Sequence, residues 1–187
     1  MIREFARNIV RIRAEANGQV VALEKLDKHS WRAAPLANGA SLKLVYEVYA
    51  WDLSVRAAHL DQTHGFFNGT SVFLAPAGFT GIPCTVDILP PCKVADGWRV
   101  ATALPRVAGA CDAAGFGRYH AADYDELVDH PVEMGIWQSA TFTVHGVPHE
   151  VVLSGRQDCD LERLCADLQR ICAWQIELFG LPAPMQR

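Results

Sequence analysis

The sequence predicts a mainly β protein, a twisted multi-sheet sandwich or saddle with two helical interruptions, and three observations carry that prediction. Apolar and polar residues alternate with a period of two over most of the chain. Gly, Pro, Asn and Asp break the alternation at short intervals, as turns between short strands do. Only two stretches change to helical spacing, one short and one at the carboxyl end.

Taken in order, "VRIRAEA" places Val10, Ile12, Ala14 and Ala16 on one face of a strand and Arg11, Arg13 and Glu15 on the other. Asn17-Gly18 follows, a strong two-residue hairpin signal. "VVALEKL" and "HSWRA" are further strands, and "SLKLVYEVYA" puts Leu42, Leu44, Tyr46, Val48 and Ala50 on one face. "TSVFLAP", "CTVDILP", "WRVATAL" and "SATFTVH" complete the expected set. In "ADYDELVDHP", Asp123 stands three residues before Glu126 as in a capping box, so a short helix is expected near 123–129, stopped by Pro131. A longer helix is expected near 159–179. There Leu161, Leu164, Cys165, Leu168, Ile171, Cys172 and Phe179 recur at helical spacing, with Asp158 or Asp160 as cap and Gly180 as stop.

Composition excludes some roles. The 187 residues suit one domain, or one domain and part of another; half are hydrophobic and a fifth charged, enough for a packed core. A formal net charge of -4 offers no electrostatic case for nucleic acid. No apolar run approaches the roughly 20 residues of a membrane span. "MIREFARNIVRIRAEA" interleaves charges with apolar residues and is no signal-peptide core. Six cysteines, Cys84, Cys92, Cys111, Cys159, Cys165 and Cys172, form no CxxC pair and are expected to be reduced, structural thiols, which favours a cytoplasmic setting.

Residues 148–153, "PHEVVL", contain the first half of the zinc-helix motif HExxH, but Leu153 occupies the position of the second histidine. The motif needs a helix, where residues four apart share a face, whereas "HEVVLSG" is β-branched and favours a strand. His145 and His149 flank Gly146 and Pro148, a pattern that fits a hairpin turn better than a metal site. No serine has the GxSxG context of a strained nucleophile. Asn68-Gly69-Thr70 reads as a turn before a strand, and formally also as a glycosylation acceptor. From the residues alone, the chain shows no complete catalytic site, and no metal ligand is expected in it.

The blocks "REFARN", "KLDKHSW", "VYAWDLSVR", "GFFNGTSVFL", "WRVATALP", "AADYDELVDHPVEMG", "VPHEVVLSGR" and "DLQRICAWQIELFGLP" occur in this order. Together they resemble the amino-terminal region of M61 peptidases, the glycyl aminopeptidase family, from about Arg3 to Pro182. His59 and His64 depart from the tyrosine and arginine expected around "LDQT". The resemblance implies an amino-terminal β domain similar to the saddle domain of M1 aminopeptidases, then a thermolysin-like catalytic domain with HExxH, then a PDZ-like domain. It implies removal of amino-terminal Gly or Ala from peptides. A zinc ion of the catalytic domain would polarise the scissile carbonyl and activate water.

On that resemblance, residues 1–156 correspond to the β domain, expected to lack its first strands, and 157–187 to the start of the catalytic domain. The chain is then a non-catalytic fragment, inactive alone, with zinc expected only in the catalytic part. Its expected partners are its own catalytic and PDZ-like domains, a peptide substrate, and a second copy paired through a sheet edge or the carboxyl-terminal helix. Asn68, Gly69 and Thr70 are expected to face the catalytic domain and frame the substrate; the competing expectation is a turn whose amide and hydroxyl bond the local backbone. Two further readings stay open. One is a free-standing β-sandwich that binds peptide or carbohydrate, for which Trp31, Trp51 and Trp137 are possible platforms. The other is a small metalloprotein built on His145 and His149.

Overall fold

The computed structural model describes residues 4–91 and 96–183, so Cys92 lies outside the described residues. In chain order the strands are β1 (Ile9–Ala16), β2 (Gln19–Val21), β3 (Leu23–Lys25), β4 (Trp31–Ala33), β5 (Lys43–Val48), β6 (Ala58–Leu60) and β7 (His64–Phe67). Then come β8 (Cys84–Ile88), β9 (Arg99–Ala101), β10 (Arg106–Cys111), β11 (Gly117–Ala121), α1 (Tyr124–Asp129), β12 (Val132–Gly135), β13 (Trp137–Val144), β14 (Val147–Ser154) and α2 (Leu161–Phe179). Single 3-10 turns occupy Phe5–Asn8 and Gly69–Ser71. The fold is mainly β, with several antiparallel sheets, one short helix and one long helix at the carboxyl end, as the alternation predicts.

The chain divides into two compact units. The first comprises residues 1–61, 65–84 and 121–132. Its main sheet has the order β2-β1-β5; β3 and β4 form a two-stranded sheet, and β6 pairs antiparallel with β7. Asn17 and Gly18 both take positive φ (50° and 76°), forming the two-residue turn between the paired Ala16 and Gln19. Between Ile9 and Arg11 the pairing with β5 shifts register, and this bulge leaves Val10 61% exposed. Val10 therefore does not share the inner face with Ile12 and Ala14, although simple alternation puts it there. "VVALEKL" is split at Ala22, whose carbonyl accepts from Ala34 N–H at 2.9 Å; its first half pairs with β1 and its second with β4.

"TSVFLAP" is not a strand. Gly69–Ser71 is a 3-10 turn capped by Asn68, and the two residues after it give their carbonyls to phenols. Tyr46 Oη donates to Val72 O at 2.8 Å and Tyr124 Oη to Phe73 O at 3.0 Å. The β-branched propensity of Thr70 and Val72 loses to these specific bonds. The helix expected near 123–129 is α1: Asp123 Oδ1 accepts from Glu126 N–H at 2.8 Å, and the Glu126 carboxylate reaches back to Ala122 N–H.

The second unit comprises residues 62–64, 85–120 and 133–187. It holds the sheet β10-β11-β8, the pair β9–β12 and the hairpin β13–β14. Trp98, Val100, Leu104, Phe116 and Tyr119 are buried here, and the Tyr119 hydroxyl donates to the carbonyl of Gly115. Eight consecutive residue pairs join β13 to β14 around a turn at His145-Gly146, both with positive φ (47° and 80°). Helix α2 packs on β13. Leu161, Leu164, Cys165, Leu168 and Cys172 are half-buried and Ile176 is buried, while Gln169 Nε2 donates to Thr143 O at 3.0 Å. Asp160 caps the helix by accepting from Arg163 N–H at 3.0 Å. Gly180 ends it with φ 93°, its N–H shared between the carbonyls of Ile176 (3.0 Å) and Glu177 (3.2 Å).

Candidate functional site

The turn that carries Asn68, Gly69 and Thr70 is built from its own side chains. Asn68 Oδ1 accepts from both Thr70 N–H (3.1 Å) and the Thr70 hydroxyl (2.6 Å), and Asn68 Nδ2 donates to Val55 O at 3.4 Å. The Asn68 carbonyl accepts from Ser71 N–H at 2.9 Å and from the Ser71 hydroxyl at 2.7 Å. Gly69 is buried because a Cβ there would lie 2.7 Å from Val128 Cα and 3.2 Å from Leu127 O. The turn thus rests directly on the backbone of α1, closer than any other residue type allows.

This seating opens a cleft of about 690 Å³ within the first unit. Asn68 and Thr70 form one wall, and Gly69 lies buried behind it. Asp123, Asp125, Glu126, Asp129 and His130 supply the wall from α1, with Phe5 and Arg56 at the rim. Two of the carboxylates are committed to capping α1, as described above. His130 Nδ1 donates to Glu126 O at 2.7 Å. Four carboxylates against one guanidinium give the cleft a negative potential that suits a cationic group. Behind it, burial pushes the Tyr46 phenol above its ordinary value. The Tyr124 phenol is also raised, by burial first and then by Tyr46, Asp125 and Cys84.

Spacing alone could not join Arg56, Asn68 and Asp129, which lie far apart in sequence. The one usable signal was the capping box, which fixed α1 but not what it faces. The three tryptophans differ in accessibility. Lys25 Nζ lies 5.3 Å from the ring centroid of Trp31, and the Arg99 guanidinium 3.7 Å from that of Trp137. Trp51 is 61% exposed, rests on His59 at 4.9 Å, and lines a hollow of about 430 Å³ with Tyr49, Leu53 and Arg7. His59 Nε2 also lies 3.2 Å from Asp61 Oδ2.

The hairpin residues do not fit a zinc centre. His145 Nε2 is 3.0 Å from Glu177 Oε1, while His149 Nδ1 donates to Val147 O at 3.0 Å and its ring stacks on Phe142, its cross-strand partner. Glu150 points to the other, exposed face, as alternation in a strand requires. The fragment of HExxH is part of an ordinary hairpin.

The cysteines Cys84, Cys111, Cys159, Cys165 and Cys172 are free thiols. Among the described residues no helix is long and apolar enough to cross a membrane.

No curated protein matches the chain. Among solved structures, the crystal structure of the aminopeptidase N family protein from Idiomarina loihiensis is similar over 100% of this chain, with 42% identity and a TM-score of 0.89. The chain spans 31% of the length of that protein. The family described as Peptidase M61 N-terminal domain matches residues 1–136, which hold the first unit, its cleft and the sheets up to β12. The chain belongs to the peptidase M61 family and carries its amino-terminal domain.

Proposed function

We propose that the chain serves as the non-catalytic amino-terminal portion of a zinc-dependent M61 aminopeptidase that removes Gly or Ala from peptide amino termini. It supports the catalytic domain and helps frame the substrate cleft through Asn68, Gly69 and Thr70. The observation that carries this reading is the full-length match to about a third of an aminopeptidase N family protein, by a chain whose sequence contains no HExxH. The negative cleft beside Asn68 and Thr70 agrees with recognition of an ammonium group, the feature that distinguishes a peptide's free amino terminus. In this reading residues 157–187 open the catalytic domain, zinc is held by residues outside this chain, and every chemical step occurs there.

Kinetics test it. In a polypeptide joining this chain to the catalytic part, Asn68→Ala should raise KM for glycyl and alanyl peptides beyond what its loss of stability explains. Unchanged KM would leave Asn68 a purely structural residue. Chelator-sensitive peptide cleavage by the purified 187-residue chain would defeat the whole reading. A peptide- or carbohydrate-binding module is the second reading, favoured only by the open face of Trp51 beside Tyr49; Trp51→Ala abolishing binding to a peptide or glycan array would support it.

A further inference from the structure

We propose that the β6–β7 hairpin carries a metal site, in which His59, Asp61 and His64 bind one divalent ion of the zinc class. The proposal goes beyond the function above and does not rest on it. The pairing of β6 with β7 runs Ala58 to Phe67, His59 to Phe66 and Leu60 to Gly65. One further step of that register brings Asp61 opposite His64 across Gln62-Thr63. Residues two apart on a strand share a face, and so do residues opposite each other on paired strands. The site is therefore internal to a single hairpin, with all three side chains on one side of it. One donor atom from each lies within 4.8 Å of the other two. The spacing H-x-D-x-x-H matches neither the helical HExxH nor a zinc finger, so only the strand pairing reveals it.

The donors select the ion. Two imidazoles and one carboxylate suit zinc and its first-row neighbours, whereas calcium and magnesium take oxygen ligands. A tetrahedral zinc ion with bonds of about 2.0–2.1 Å holds its ligand atoms roughly 3.3 Å apart. His59 Nε2 and Asp61 Oδ2 already stand at 3.2 Å, and His64, within 4.8 Å of both, closes the triangle by turning its side chain. The surroundings hold the ligands in place. His59 is buried with its ring 4.9 Å from that of Trp51, and the Thr63 hydroxyl lies 3.3 Å from His64 Nδ1. Behind His64 the backbone runs so close to Gly135 that a Cβ there would lie 3.0 Å from His64 Cβ and 3.3 Å from Thr63 O. Three protein ligands leave one position for water. All three belong to this chain, so a segment covering the hairpin from outside would close that fourth position without removing them.

The test is titration of the metal-free chain with zinc alone, read by calorimetry and by melting temperature. One equivalent should bind, and at a free zinc concentration of about 100 Kd the melting temperature should rise by about 5–11 °C. Cobalt(II) in place of zinc should give the visible absorption of a four-coordinate ion without a thiolate-to-metal band, a measurement that needs no variant. Asp61→Asn and His64→Gln alter half-buried positions, and circular dichroism of the metal-free proteins checks that each remains folded. Each should weaken binding by more than about 100-fold, the most that loss of a ligand's supporting partner usually costs. His29→Ala removes an exposed imidazole beside Asp27 and should leave binding unchanged. Absence of saturable zinc binding overturns the proposal and leaves the three groups a hydrogen-bonded cluster. Binding that survives Asp61→Asn and His64→Gln overturns it as well, as does a thiolate band with cobalt(II), which would place the ion on the free cysteines.

Discussion

Replacing Gly69 with alanine probes the contact on which the cleft depends. The added methyl carbon would stand 2.7 Å from Val128 Cα, 3.2 Å from Leu127 O and 3.2 Å from Phe73 Cδ2. Two of these three neighbours are backbone atoms of α1, so the clash cannot be relieved by rotating a flexible side chain. Either the turn or the helix must move. Overpacking of this kind costs about 1–3 kcal/mol. For a chain of this size each kcal/mol lowers the melting temperature by roughly 2–4 °C, so a fall of about 2–12 °C is expected by calorimetry. Gly81→Ala is the control: nothing lies within 4 Å of its Cβ position, and its φ is not in the left-handed region. It should melt within about 2 °C of the unaltered protein, since surface substitutions without such features stay within about 0.5 kcal/mol. If Gly69→Ala melts with Gly81→Ala, the turn does not rest on α1 and the wall of the cleft is wrongly placed.

Other outcomes follow from the same bonds. Asn68→Ala removes the acceptor shared by Thr70 N–H and the Thr70 hydroxyl and should cost about 1 kcal/mol in urea unfolding. Asn68→Asp keeps that acceptor and should lose less. Asp123→Ala removes the cap on Glu126 N–H, at a similar cost of about 1 kcal/mol, and faster hydrogen exchange confined to α1 amides would identify the cause. Burial raises the Tyr46 phenol, so the folded state favours its protonated form. That contribution is complete below the ordinary phenol value of 10.0 and is lost as pH rises through the higher folded value. Unfolding stability should therefore decline above about pH 10, and less steeply in Tyr46→Phe, which forgoes the 2.8 Å bond to Val72 at about 1 kcal/mol at neutral pH. An identical alkaline slope in both proteins would refute the assignment.

Local signals were legible wherever they were self-contained. Asn17-Gly18, Asp123 with Glu126, Asp160 and Gly180 all act through bonds to residues within about one turn, and each sits in the structure where its chemistry predicts. The strand β14 was also legible, because alternation in "VPHEVVLS" separates His149 from Glu150 without reference to any other segment. Errors arose where a distant group competed. Val72 and Phe73 have strand-forming composition, but the phenols of Tyr46 and Tyr124 take their carbonyls. Val10 follows the alternation in sequence, but the pairing of Ile9 and Arg11 with β5 inserts a bulge that no inspection of β1 alone reveals. The strands β6, β7 and β10 to β12 lack a run of alternating β-branched and polar residues and exist through their partners, so their own residues carried little warning.

The amino-acid order by itself determined that the chain is mainly β, that its HE pair lies on a strand, and that a capped amphipathic helix follows the last hairpin. Each of these depends on side-chain periodicity or on a bond that closes within a few residues. Only the tertiary structure decided that Asn68 and Thr70 face the acidic wall of α1, that Gly69 must be glycine to let them, and that Ile171, Trp174 and Leu178 stay outside the stripe covered by β13. Burial and close approach are properties of pairs of segments distant in sequence, and periodicity within one segment holds no information about which neighbour will cover it.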